Sequence, residues 1–472
     1  MMKGMRIGLL AVSVWLAGCG TVAIDIGSRL PLPESFDYAS AGRPADIGRW
    51  WRQWQDSELD RLIEQALAAN FDVKTAQSRL NEARATAGLA QADLLPKAGL
   101  AVQSGASRAR LNREGSLPVP VLPQEADMRG NGLSGGLSVS WEPDFFGAKR
   151  SDADAALYGA AARQAEVYGA QMLAAAEMAE QYFQARALER HKQIAENQTA
   201  VLVQMLRYTE GRFRAGHVSA QEVGEARAAL AAAQGRQAVL DAQYRRHLRA
   251  MAVLTGAVPQ QFVLGAAARD VLADQPSAPQ GQTPQGLIER RPDLIGRAAQ
   301  VRVQAARLGS AKADWYPRFS LNFLGQGGRF EIGGEQVLKG WAGLLSAGIS
   351  LPLFTAGRIQ ANVDAADARL KTALLEYDQT LLQALADVDN AAQMHASLSR
   401  QAEILQQRAA GYRRQEAGAQ QLFRYGSKTL DDVLRMRLDA ETAEAELVQS
   451  RLARARALVG LYKALGGGWT EQ

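Results

Sequence analysis

The chain has 472 residues, of which 22% are charged and 47% hydrophobic, with a formal net charge of +5 and a mean hydropathy of −0.20. So small a positive excess supplies no field that would steer nucleic acid. A single cysteine excludes a disulfide within the chain and any cysteine-based metal cluster, and beyond the leader no apolar run reaches the roughly eighteen residues of a helical membrane span.

Lys3 and Arg6 precede an apolar run from Ile7 to Ala17, the pattern of a signal peptide over 1–18. Leu16-Ala17-Gly18-Cys19 resembles the bacterial lipobox, and Cys19 is the lone cysteine. That resemblance implies a lipidated Cys19 as mature N-terminus. Gly20, rather than an aspartate, follows it, which implies the outer membrane as address. More than one acyl chain on that residue would anchor it stably.

Residues 21–48 hold Pro31, Pro33 and Pro44 and read as extended chain. Asp56-Ser57-Glu58-Leu59 opens a helix to about Asn70, with Trp50, Trp51 and Trp54 packing its start. A second helix covers about 72–94 and stops before Pro96. Two short strands follow, at 98–106 and 133–141. In the second, Leu133, Gly135, Leu137, Val139 and Trp141 alternate with Ser134, Gly136, Ser138 and Ser140. A loop with Arg108, Arg110, Arg113, Pro118, Pro120 and Pro123 joins them. After Pro143 no proline occurs until Pro259, so a helix is predicted from about 148 to 214. Gly216-His217 breaks it, with the turn at 215–218, and Ser219 starts a return helix to about 255.

The order then recurs. At an offset of 221, Asp72, Gly88, Ala92-Asp93 and Pro96 fall on Asp293, Gly309, Ala313-Asp314 and Pro317. At an offset of 210, Phe213, Arg214, Gly216, Val223 and Gly256 fall on Phe423, Arg424, Gly426, Val433 and Gly466. Two copies of one unit are implied, over 71–256 and 291–466, joined by 257–290 and preceded by an N-terminal segment, 19–70. The second copy has a helix at 293–315, strands at 319–327 and 343–351, and a glycine-rich loop between them. A long helix over 357–424, a turn at 425–428 and a helix from Thr429 to about 465 complete it, leaving 467–472 as a tail.

A long helix of this kind measures roughly 100 Å, close to the sum of the short helix and the return helix. Each copy therefore packs one long helix against two short ones stacked end to end. Leu434, Leu438, Ala445, Val448, Leu452, Ala455, Val459 and Tyr462 follow coiled-coil steps. Each strand is about nine residues, with one apolar face and one of Ser, Asn, Gln and Gly, as a tilted membrane strand requires. Four strands cannot close around a lumen, so several protomers must contribute, and three would give twelve strands. Trp141 and Trp341 fall at strand ends, where interface belts form.

The stretch from Asp56 to Pro96, WEPDFFGAKR at 141–150, the segment 290–317, LPLFTAGR at 351–358, the two turn motifs and the terminal LYKALGGGW resemble the TolC-like outer-membrane factors, most closely their lipid-anchored efflux branch. The resemblance implies a mainly α fold with membrane β. It is a trimeric tunnel with a twelve-stranded outer-membrane barrel, a long periplasmic α-helical barrel and a mixed equatorial domain. It implies as partners a homotrimer, a periplasmic membrane-fusion adaptor, an inner-membrane transporter of the RND type and outer-membrane lipid, with no nucleic acid. The function implied is a passive exit duct for drugs or other small molecules. A duct for protein secretion and a non-transporting envelope scaffold are the alternatives.

At the turns, Arg214, Gly216, Arg424, Gly426 and Ser427 are the expected adaptor-docking residues. Asp431 and Asp432, with Glu222 as a weaker ring, are the expected periplasmic gate, since a ring of carboxylates binds cations. The same acids fit capping boxes, Thr429 with Asp432 and Ser219 with Glu222, and Arg435 stands one turn beyond Asp432, placed to neutralise it. The two readings are compatible. No enzyme is expected. His191, His217, His247 and His395 lie far apart, and no HExxH, P-loop or Gly-x-Ser-x-Gly occurs, so no catalytic residue, metal site or cofactor is assigned.

Overall fold

The structure, a computed structural model, describes residues 30–37, 45–112, 125–266, 269–332 and 335–469. The signal peptide, Cys19, Arg113, Pro118, Pro120 and Pro123 lie outside the described residues. Chain contacts divide the molecule into two units. The first holds Glu82–Ala160 and Ala299–Leu374; the second holds 30–81 (as described), Ala161–Ala298 and Leu375 to the C-terminal end.

The first unit is built on one four-stranded antiparallel sheet. Its strands are β1 (Lys97–Asn112), β2 (Glu125–Trp141), β3 (Arg318–Ile332) and β4 (Glu335–Ser350), in the order β1-β2-β3-β4. They are 15 to 17 residues long rather than about nine. Arg108 and Arg110 therefore belong to β1 and pair with Arg129 and Asp127, and most of the glycine-rich segment lies within β3 and β4. Trp141 ends β2, with its indole N–H donating to the Leu94 carbonyl at 3.0 Å, but Trp341 sits inside β4.

The register sorts the side chains into two faces. Paired rows on one face are Phe319–Ile349, Trp141–Leu321–Ala347, Val139–Phe323–Leu345, Leu100–Leu137–Gly325–Gly343 and Val102–Gly135–Gly327–Trp341. The next row is Ser104–Leu133–Arg329–Lys339, where charge begins. From Ile349 to Trp341 this apolar band runs about 27 Å along the strand. The opposite face carries Lys97–Ser140–Asn322–Ser346 and Gln103–Ser134–Gly328–Gly340, interrupted by Leu324 beside Leu344. At the polar end Phe330 lies over Gly132 and Gly130, where a Cβ built on Gly132 would meet its ring at 2.9 Å. Glycine is needed there because the aromatic ring occupies the space of a side chain.

The second unit is helical. Short helices α1 (Ser57–Ala69) and α2 (Phe71–Ala92) are followed by α3 (Ala148–Arg214) and α4 (Ala220–Leu254). The later set is α5 (Pro284–Arg290), α6 (Pro292–Ala313), α7 (Arg358–Arg424) and α8 (Leu430–Ala464). Residues 82–92 of α2, 148–160 of α3, 299–313 of α6 and 358–374 of α7 are counted with the first unit. Both long helices have 67 residues and both return helices 35. Asp56 caps α1 through the N–H groups of Glu58 and Leu59, and its other oxygen accepts from Tyr182 at 2.7 Å.

Within this unit the end of α4 meets the α1–α2 junction. Asn70 Nδ2 donates to the Leu254 carbonyl, and Gly256, at φ 66°, approaches the Ala69 carbonyl. The end of α8 does the same at the α5–α6 junction, where Gly466, at φ 76°, lies against the Arg290 and Arg291 backbone and Arg291 donates to the Ala464 carbonyl. A Cβ built at Gly466 would stand 2.9 Å from Arg291 Cα, so only glycine turns there.

The core gathers around aromatics. Trp50, Trp51 and Trp54 form a 3-10 turn and are buried to within 2%. Trp50 stacks on Tyr462 at 5.1 Å, and Trp54 packs on Phe183 at 5.3 Å. Helix pairs are tied by polar contacts. Lys192–Asp241 and Tyr244–Glu189 join α3 to α4, and Arg413–Glu444 joins α7 to α8. Buried Glu444 also accepts from Arg190, so one carboxylate links α3, α7 and α8.

Candidate functional site

The two interhelical turns of the helical unit have one construction. In the first, Gly216 N–H donates to the Phe213 carbonyl and His217 N–H to the Arg212 carbonyl, both at 2.9 Å. In the second, Gly426 donates to Phe423 and Ser427 to Leu422, again at 2.9 Å. These are Schellman motifs, which satisfy the last carbonyls of a helix and require a left-handed residue. Gly216 and Gly426 supply it, at φ 75° and 76°.

Each return helix then opens with a complete capping box. Ser219 Oγ accepts the Glu222 N–H at 3.3 Å, and Glu222 accepts the Ser219 N–H at 3.0 Å. Thr429 Oγ1 accepts the Asp432 N–H at 3.2 Å, and Asp432 Oδ2 accepts the Thr429 N–H at 2.9 Å and its hydroxyl at 2.8 Å. The Thr429 backbone N–H, then its hydroxyl, hold the Asp432 carboxyl below the usual aspartate value, with Lys428 and Arg435 adding attraction. Arg435 makes its ion pair with Asp431, Nε to Oδ2 at 2.6 Å, and not with Asp432. The cation beside Asp432 is Lys428, with Nζ 3.9 Å from Oδ1.

The turns leave apolar side chains in solvent. Phe213, Leu422, Phe423 and Tyr425 are exposed, Tyr425 by 76%. Arg214 and Arg424 end the long helices beside them and are exposed, and His217 is an exposed turn residue. The structure thus brings each glycine, arginine and acid of a copy to one turn. Lys428 went unread in the sequence because a cation immediately before a cap has no periodic signal. Among the described residues no group of His, Asp or Glu could hold a metal ion, and no helix is long and apolar enough to cross a membrane.

One family, described as outer membrane efflux protein, matches residues 62–257 and 283–467, one segment on each copy of the repeat. The chain belongs to that family. It is an outer-membrane channel of efflux pumps in a Gram-negative bacterium, and not an enzyme. It is 30% identical over 470 residues to the pyoverdine export outer membrane protein OpmQ of Pseudomonas aeruginosa, across 99% of this chain and 98% of that protein. It is 24% identical to the cation efflux system protein CusC of Escherichia coli, across 98% of both. The open state of the MtrE outer membrane channel of Neisseria gonorrhoeae superposes with a TM-score of 0.79 at 25% identity, covering 95% of this chain and 98% of that one. In this efflux channel the sheet carries an apolar face of the kind a membrane strand needs. Its apolar band is the only broad apolar sheet face among the described residues.

Proposed function

We propose that three copies of this channel close one twelve-stranded barrel in the outer membrane, each supplying β1–β4, and that the helices form a tunnel in the periplasm. The observation that carries this reading is the sheet itself. It has an apolar band on one face and two edge strands, β1 and β4, whose outer edges have no strand partner among the described residues. An open edge in hydrocarbon leaves a row of backbone groups unsatisfied, so the edges must pair with other copies. The mass of the detergent-solubilised particle tests this: three chains are expected, and a stable monomer or dimer would sink the reading.

The channel acts as a passive exit duct in a tripartite pump. The turns dock a periplasmic adaptor through Arg214, Gly216, Arg424, Gly426 and Ser427, with exposed Phe213, Phe423 and Tyr425 as the apolar part of the contact. An inner-membrane transporter of the RND type supplies the energy and selects small-molecule cargo. OpmQ and CusC carry names for very different cargoes on one shared chain plan, which supports selection upstream of the duct. Acylated Cys19 anchors the chain to the membrane.

Asp431 and Asp432, and Glu222 more weakly, form an acid ring at the periplasmic mouth. Capping uses one oxygen of Asp432 in full, while its Oδ1 stands 3.9 Å from Lys428, so charge remains to act on ions. In planar bilayers, Asp431→Ala with Asp432→Ala is expected to change conductance and reduce cation preference. Unchanged values for both would remove the gate.

A further inference from the structure

A groove of about 480 Å³ opens in the helical unit between α3, α8 and the linker that follows α4. Four guanidinium groups line it, those of Arg186, Arg190, Arg269 and Arg451. Only two acids share the lining, Glu189 and Asp270, and both are already engaged. Glu189 accepts from Arg186 at 2.9 Å and from the Tyr244 hydroxyl at 2.8 Å. Asp270 accepts the N–H groups of Leu272 and Ala273, each at 3.1 Å.

The arginines are unevenly satisfied. Arg190 reaches Glu444 at 3.2 Å. Arg269 donates to a backbone carbonyl, that of Trp54, and Arg451 only to the Gln406 amide oxygen at 3.4 Å. Neither pairs with a carboxylate among the described residues. Arg186 is 7% exposed, and its Nε, like that of Arg269, has no hydrogen-bond partner among the described residues. The floor is apolar, made of buried Val271, Leu272 and Val448. An apolar floor lowers the local dielectric and strengthens attraction for a counter-charge. Planar guanidinium forks match the paired oxygens of carboxylates and phosphates.

We infer that this groove is a binding site for an oxyanion, a phosphate or a carboxylate group, held by Arg451 and Arg269 and flanked by Arg186 and Arg190. Such a site is separate from the turns and from the sheet faces, and it does not depend on transport. An anion there would tie the linker to α3 and α8, since Arg269 belongs to the first, Arg186 and Arg190 to the second and Arg451 to the third.

Calorimetric titration of the purified full chain in detergent tests the proposal. Inorganic phosphate and glutarate are titrated in separate arms at matched ionic strength, against a chloride control. Saturable binding of one ion per chain is expected in at least one arm. Phosphate alone would mark a phosphate-bearing ligand, and glutarate alone a carboxylate-bearing one. Loss of one charge-assisted fork in Arg451→Gln should weaken binding by about tenfold or more. Arg451→Lys, which keeps the charge but not the fork, should fall between, and it serves as the reading if the glutamine variant does not fold. Arg435→Gln, at the distant turn, should bind as the parent does. No saturable binding in either arm, or parent-like affinity in Arg451→Gln, overturns the inference.

Discussion

At single-residue scale, Asp432 is both a cap and a charge, and the two roles respond to pH together. Its carboxyl is held below the usual value because the folded chain offers it the Thr429 N–H and hydroxyl. A depressed carboxylate contributes stability that is complete above the unfolded value, near pH 4, and is lost as pH falls through the lower folded value. The first turn of α8 should therefore fray as pH drops below about 4, while Asp432→Asn should show little further change across that window. Hydrogen exchange at the first-turn amides, corrected for intrinsic rates, measures this. Pairing in this turn was only half legible in the sequence. Arg435 is three residues from Asp432 and four from Asp431, and both spacings are neighbours on a helix. The chain resolves the choice by giving Asp432 to the cap, which leaves Asp431 to the arginine.

Among the elements, the helices were readable where punctuation was chemical. A glycine that must turn left-handed and a hydroxyl three residues later fixed both turns. The outer halves of the strands were not readable. Arg108 and Arg110 alternate with Ala109 and Leu111, and Asp127 and Arg129 with Ala126 and Met128. The charge and the nearby Pro118, Pro120 and Pro123 nevertheless read as loop, and the pairing follows from the ladder begun earlier in β1 and β2. Helix α5 was hidden for a different reason, since its seven residues lie in a linker dense in Pro, Gln and Gly. The helical unit also has a pH response. His395 on α7 is buried at 6% exposure, and burial, with repulsion from Arg454, pushes its imidazole down to about 4. Between that value and the ordinary one near 6.5 the unfolded chain binds a proton that the folded chain refuses, so stability falls as pH drops. This group alone should make each chain about 2 kcal/mol less stable at pH 5 than at pH 7. Denaturant midpoints at the two pH values, in the parent and in His395→Gln, give the measurement, and the variant should show the smaller difference.

For the whole molecule, the two sheet faces make opposite demands. Leu137 sits in the middle rows of the apolar band, and Leu137→Arg should cost about 2–4 kcal/mol and block assembly of the barrel. Ser138→Arg, one residue on, faces the other way and should assemble while altering conductance. Particle mass and single-channel current separate the two outcomes. The matched helices impose a rule of another kind. With 67 residues in each long helix and 35 in each return helix, both halves of the chain keep the same ruler. Deleting seven residues from α3 alone would draw its turn back by about 10 Å while the other stayed in place. Evolution can therefore lengthen or shorten this channel only by paired edits, in whole helical repeats, made in four helices at once. Natural variants that span a wider or narrower periplasm should differ by equal insertions at offset positions, so that indels in one half forecast indels in the other.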